Sequence, residues 1–193
     1  MTHVKQVSQS VAPPNGREKP MRYAPTYAQD RAEIEDLMAR YLMAMDYNDF
    51  DTYADTFTED GTLDYAPGVV TGREVIRAEA KAFKERVGKM FTDVDGQPSL
   101  LRHVLCHSVI RVEGDLAWHT GFWFEFDNGG PKSAAGRKTI LMGTYGIYED
   151  QLKRVDGEWK FFYRNIRNEF LTGRDSGKVN PVLAMDARAV ATL

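Results

Sequence analysis

The chain has 193 residues, 42% apolar and 27% charged, with a formal net charge of -3 at pH 7 and one cysteine. That balance suits a single soluble domain with a sizeable core, and it leaves no basic field for nucleic acid, no internal disulfide and no cysteine-built metal site. No stretch is apolar for long enough to span a bilayer and the opening "MTHVKQVSQSVAPPNGREKP" lacks the core of a secretory signal, so a cytoplasmic setting without membrane partners is expected.

Residues 1–25 are polar, carry Pro13, Pro14, Pro20 and Pro25, and show no sustained period. They read as an N-terminal arm, disordered alone or ordered against a partner subunit. A helix follows, with Ile34, Leu37, Met38, Tyr41, Leu42 and Met45 at helical spacing and either Thr26 with Gln29 or Asp30 with Glu33 as its capping box. A short second helix is predicted over Phe50 to Phe57. "EDGTLDY" turns the chain into an extended piece, and "TGRE" from Thr71 is a second capping box, opening a helix with Val75, Ile76, Ala80, Phe83 and Val87 that Gly88 stops.

Beyond "DVDGQPS" the period changes. Leu100 to Glu113, Leu116 to Asp127, Lys138 to Val155 and Glu158 to Leu171 read as long strands, with tight turns at "EGD" and at Asp156-Gly157 and a loop at "NGGPKSAAG". Residues 172–193 form a C-terminal extension, a candidate lid or oligomer contact. Helices followed by consecutive antiparallel strands predict an α+β fold: a cone-shaped barrel in which a strongly curved sheet wraps over the N-terminal helices and leaves a hollow end for a small molecule.

Within that layout Asp46 is anomalous. It falls in the last turn of the first helix, where the carbonyl ends already disfavour a carboxylate, so another group should hold it. Alternation places Leu101, His103, Leu105, His107 and Val109 on one strand face. Histidines four apart on a strand stand about 13 Å from each other, too far to share a metal ion, and no metal or other cofactor is expected. Cys106 alternates away from His103, which argues against a Cys/His nucleophile. Arg164 and Arg167 fall on opposite faces of the last strand, and one of them is expected to face the cavity and fix an oxyanion. An aromatic lining is expected from among Trp123, Phe57, Phe91, Tyr145, Tyr148 and Phe162.

Four stretches in order, "YLMAMDYNDFDTYADTFTEDGTLDY", "GREVI", "RHVLCHSVIRVEGDLA" and "RVDGEWKFFYRNIRNEF", resemble the SnoaL-like proteins of the nuclear transport factor 2 superfamily, among them scytalone and bile acid dehydratases. The resemblance spans about Arg31 to Phe170, so that a cone domain at 26–171 stands between the arm and the extension. It implies acid-base or orienting roles for Tyr41 and Asp46, pairs His103 with Asp46, makes Tyr65 a substrate-polarising tyrosine, and maps an active-site aspartate to Asp127. Where the scytalone dehydratase pattern has a second histidine, this chain has Asn128. What it implies for function is a cofactor-independent lyase that eliminates water from a hydroxylated aromatic or polycyclic substrate, or loses a group such as formaldehyde through a quinone methide. Tyr41, Asp46 and His103 are then the catalytic candidates, with Asp46 either the base or the orienter of His103. Tyr65, Trp123, Asp127, Tyr148, Arg164 and Arg167 are the substrate-binding candidates. A ketosteroid-type isomerase, a polyketide cyclase and a non-catalytic binding or assembly module remain alternatives, and a homodimer or homotrimer through the outer sheet face is expected.

Overall fold

The computed structural model describes residues 23–192, so nearly all of the N-terminal arm lies outside the described residues. Helix α1 spans Tyr27–Asp46 and buries the whole predicted stripe from Ile34 to Met45. Neither predicted capping box forms at its start. Thr26 stands at the N-cap without a side-chain hydrogen bond, its box partner Gln29 donates to Glu33 at 2.8 Å instead, and in the alternative box Asp30 and Glu33 both pair with the distant Arg154. The short helix α2, Phe50–Asp55, ends two residues before the predicted Phe57 and is capped by Asp49, whose carboxylate accepts from the Thr52 amide at 3.1 Å.

Strands β1 (Phe57–Tyr65) and β2 (Gly68–Thr71) form a hairpin leading to helix α3, Arg73–Met90. The second predicted capping box is also absent. Thr71 spends its hydroxyl on Thr62 at 3.0 Å, and Gly72 takes the N-cap with φ of 99°, a conformation open to glycine. The helix runs past Gly88 for two residues before Phe91 ends it.

The long strands are β3 (Leu101–Glu113), β4 (Leu116–Asp127), β5 (Leu141–Val155) and β6 (Glu158–Asn168). Strand β5 starts three residues later than predicted, since Lys138 makes only an isolated bridge to Lys132, and β6 ends before Leu171. Asp156 and Gly157 both have positive φ, 51° and 86°, as a type I′ hairpin requires.

The sheet is six-stranded, curved and unclosed, in the order β2-β1-β6-β5-β4-β3, with β1 parallel to β6 and the other pairs antiparallel. Its curvature is built from register shifts at Cys106/Val109, Phe124/Phe126 and Gln151/Leu152. The first reverses the expected face of β3: His107, with φ of 54°, and Val109 are exposed, whereas Ile110 is buried. Helices α1, α2 and α3 sit in the concave side, where one core cluster joins Ile34, Met38 and Tyr41 to Phe57, Leu152 and Phe161. The C-terminal extension contains a fourth helix, α4 (Pro181–Thr192), whose Met185 and Ala189 bury Trp118 of β4 against the opposite face of the sheet. The helical part of the predicted lid thus lies on the outer face.

Candidate active-site cavity

Between α1, α3 and the concave sheet lies a cavity of about 260 Å³, reached past Pro67, Phe91, Phe170 and Leu171. Its walls are mostly apolar, with His103, Glu125, Lys84 and the tyrosines 41, 53, 65 and 148 among the polar lining groups. The C-terminal turn of α1 meets β3 here. Asp46 is 8% exposed, and its Oδ2 accepts the His103 amide hydrogen at 2.9 Å while Oδ1 lies 2.6 Å from His103 Nδ1. A carboxylate held by backbone and ring at once orients the imidazole and keeps the hydrogen on Nδ1, leaving the lone pair on Nε2. On that side Glu125 Oε2 stands 3.8 Å from Nε2 and accepts from the Thr144 hydroxyl at 3.1 Å.

The SnoaL-like domain model matches residues 26–165. The chain belongs to the SnoaL-like domain family. Among its curated relatives is an uncharacterised protein of Mycobacterium tuberculosis, Rv2910c, 27% identical over 136 residues, or 70% of this chain and 82% of the other. Among solved structures, a protein of unknown function from Mycobacterium tuberculosis, Rv3472, is 28% identical with a TM-score of 0.61, covering 87% of this chain and 92% of that one. A Novosphingobium aromaticivorans protein assigned provisionally as a scytalone dehydratase is similar in fold, at 22% identity and a TM-score of 0.58, over 80% of this chain and 98% of the other.

In this SnoaL-like cavity Tyr41 is 2% exposed and shares a 2.9 Å hydrogen bond with the hydroxyl of Tyr53, a residue of α2 that the sequence reading did not single out. Tyr65 donates to Glu79, which also holds Arg86 at 2.6 Å. Burial raises the pKa of Tyr41 and Tyr65, and lifts those of Tyr53 and Tyr148 well above the ordinary value, so all four hydroxyls stay protonated near neutral pH, with the Tyr65 hydrogen given to Glu79 and one hydrogen shared between Tyr41 and Tyr53. Trp123 stacks on Tyr148 with ring centroids 5.8 Å apart. Of the other expected aromatics only Phe91 lines the cavity: Phe57 is core, Tyr145 stacks on Phe124 and is 43% exposed, and Phe162 carries Lys153 over its ring.

Three expected substrate contacts stand elsewhere. Asp127 is a turn residue, its Oδ1 accepting the Gly129 amide at 2.6 Å, because the strand ends there and the chain must reverse. Arg167 points away from the cone to Glu149 at 3.0 Å. Arg164 does face inward, but it is completely buried between the rings of Tyr41 and Tyr148, at 3.9 Å from each centroid, and those rings separate it from the cavity. Its partner is Asp150 at 3.1 Å, which in turn holds His119 Nδ1 at 2.7 Å, while His119 Nε2 meets the Ser108 hydroxyl at 3.1 Å. This Ser/His/Asp line resembles a nucleophilic triad, yet His119 is 0% exposed and a Cβ added at Gly121 would lie 2.9 Å from its Nε2. An imidazole sealed in this way cannot pass a proton to a leaving group, so the cluster serves to hold Arg164 beneath the two tyrosines.

His107 lies outside, against Phe122. Among the described residues no three His, Cys, Asp or Glu side chains converge to hold a metal ion, and no helix is long and apolar enough to cross a membrane. Glu125, Lys84 and Tyr53 were missed in the sequence. The first two left a signal there: Glu125 shares the inward parity of Trp123, and Lys84 interrupts the apolar stripe of α3 between Ala80 and Val87.

Proposed function

We propose that the cavity is the active site of a cofactor-independent lyase that eliminates water from a hydroxylated aromatic molecule. The observation that carries the reading is the Asp46-His103 pair, with Nδ1 fixed at 2.6 Å by the carboxylate and the opposite ring edge toward a tyrosine-lined hollow. In the proposed reaction Nε2 accepts a proton from an acidic carbon, the carbon-oxygen bond breaks, and the imidazolium returns that proton to the departing hydroxide as water. The hydroxyl of Tyr148, which lines the hollow, donates a hydrogen bond to the substrate oxygen on which charge accumulates, while Tyr65, its hydrogen held by Glu79, shapes the wall beside it. With a phenol para to a benzylic hydroxyl, loss of the phenolic proton and departure of that hydroxyl as water give a quinone methide; taking the O–H proton of a hydroxymethyl group on the neighbouring carbon then breaks the carbon-carbon bond, releases formaldehyde, and returns the electron pair through the new double bond to the ring as a phenolate.

A hollow of about 260 Å³ lies below the roughly 300–1,000 Å³ of common ligand pockets, which favours one or two rings over a polycyclic skeleton. Exposed apolar side chains on the outer sheet face, Val104, Phe122 and Tyr145, support a homodimer or homotrimer, which light scattering reads directly. The catalytic test is incubation of the purified protein with 4-hydroxyphenyl alcohols and diols, followed by mass spectrometry for loss of water or formaldehyde. Asp46→Asn and His103→Ala are expected to fold and to lose roughly 10²–10⁴ of kcat, the usual scale for removing a positioned base. Unimpaired turnover in both variants would sink the reading, and binding without turnover in the wild type would favour a ligand-binding module.

A further inference from the structure

Among the described residues, the cavity holds one cation that no hydrogen bond or ion pair engages. Every other charged group facing it, or standing just behind its wall, is already engaged: Asp46 by the His103 ring and amide, Glu79 by Tyr65 and Arg86, and Glu125 by Thr144 with His103 close by. Lys84 lines the cavity from α3, half-buried on the same stripe as Ala80, Phe83 and Val87, and among the described residues its ammonium makes no hydrogen bond or ion pair. Burial lowers its pKa, against the attraction of Asp46 and Glu125, so the protein gains nothing for its own fold by setting a charge there. A lysine on an apolar stripe ordinarily reaches out to water, and this one lies instead along a wall shared with Trp123 and Tyr65.

We propose that Lys84 anchors an oxyanion of the ligand, so that the molecule bound in the cavity is an aromatic carrying an ionised carboxylate or phenolate. The proposal rests on the elimination reading for the identity of the site and adds the charge of its substrate. An oxyanion paired with Lys84 sits on the α3 side of the cavity, and the ring it belongs to fills the hollow that Trp123 and His103 also line. The anchor thereby sets which carbon faces Nε2. For a phenolate the same contact stabilises the ring oxygen whose electrons expel the benzylic group. Glu125 and Asp46, whose attraction Lys84 feels, repel any further negative charge, so the geometry selects a monoanion whose one charge rests on the ammonium.

Calorimetric titration with two probes of equal shape, 2-naphthoate and neutral 2-naphthamide, tests this at neutral pH and moderate salt. The wild type is expected to bind the carboxylate at least about tenfold more tightly than the amide, which is about 1.4 kcal/mol. Lys84→Met should bind the two alike while keeping the amide affinity, and Lys84→Arg should keep the preference. Equal binding of both probes by the wild type, an unchanged preference in Lys84→Met, or failure of the wild type to bind either probe each overturns the anchor. Failure of the elimination reading shows separately, as turnover indifferent to His103→Ala.

Discussion

At the residue scale, a charge in an unexpected place marks the candidate cavity twice. Asp46 was legible because its position is unfavourable by itself: a carboxylate at the carbonyl end of α1 needs a partner, and the structure supplies the His103 amide and ring. Lys84 was equally visible as a lysine in the α3 stripe, but a stripe with one charge still reads as an ordinary amphipathic helix, and only the cavity shows that the side chain is half-buried. Tyr53 could not be read at all, because a six-residue helix is too short to define a face. The fate of Arg164 was open for a different reason: the register shift at Gln151/Leu152 fixes which arginine of β6 turns inward, and side chains alternate only between such shifts. The setting of Lys84 makes a stability prediction with a definite sign. Its folded-state pKa is lowered from 10.5, chiefly by burial, so between the folded value and 10.5 the unfolded chain binds a proton that the fold does not. Stability from this group therefore rises with pH across that window, and at neutral pH the buried charge is a cost. Lys84→Met is expected to be more stable than the wild type in urea at pH 7, with an advantage that shrinks as pH approaches 10.5. A variant less stable than wild type at pH 7 would contradict the burial argument.

At the element scale, the helices and four long strands were legible within a few residues because burial imposes their periods and the Asp156-Gly157 turn fixes one hairpin. What escaped was where a strand changes face. The bulge at Cys106/Val109 places His107 and Ser108 opposite Gly121, and the absence of a side chain at Gly121 leaves the space that His119 fills. Gly121→Ala should therefore force the buried imidazole off Ser108 and lower stability by about 1–3 kcal/mol, the usual cost of overpacking. Denaturant unfolding with no loss beyond a few tenths would mean that β4 yields there. Helix α4 was hidden behind Pro181 and a short apolar pattern, and its place on the outer face depends on Trp118, a residue far away in sequence. Truncating Met185, 1% exposed against that ring, is expected to cost about 2–5 kcal/mol as Met185→Ala and to shift tryptophan emission to the red as Trp118 meets water. Unchanged emission and stability would show that α4 does not seal this face.

At the scale of the whole molecule, the cone is stacked in polarity. The cavity wall holds the Asp46-His103 pair at one side, and deeper in it are Tyr41, Tyr53 and Tyr148. Beneath these rings lies a sealed charge, Arg164, bound through Asp150 to His119. Each layer depends on the one below, since Tyr41 and Tyr148 rest on the guanidinium while Asp150 keeps it from being an uncompensated buried charge. The arrangement also ties the fold to alkaline pH. Burial raises the pKa of all three tyrosines, and the attraction of Arg164 only partly offsets it. Unfolded tyrosines lose their proton near about 10, whereas these keep theirs, so above that pH the unfolded chain binds fewer protons than the fold and stability must fall. The slope is roughly 1.4 kcal/mol per pH unit for each such group, or about 4 for three acting together. That slope lasts for each group between its unfolded and its folded value, so the margin of a domain of ordinary stability, about 5–15 kcal/mol, shrinks as pH rises past about 10. Phenolate absorbance followed alongside circular dichroism should show these three of the nine tyrosines, together with Tyr65 and Tyr163, whose pKa values are also raised, ionising in one cooperative step as the fold is lost. Smooth titration of every tyrosine with the dichroism intact would mean that the rings are open to water, and that the polar layer under the cavity is not closed.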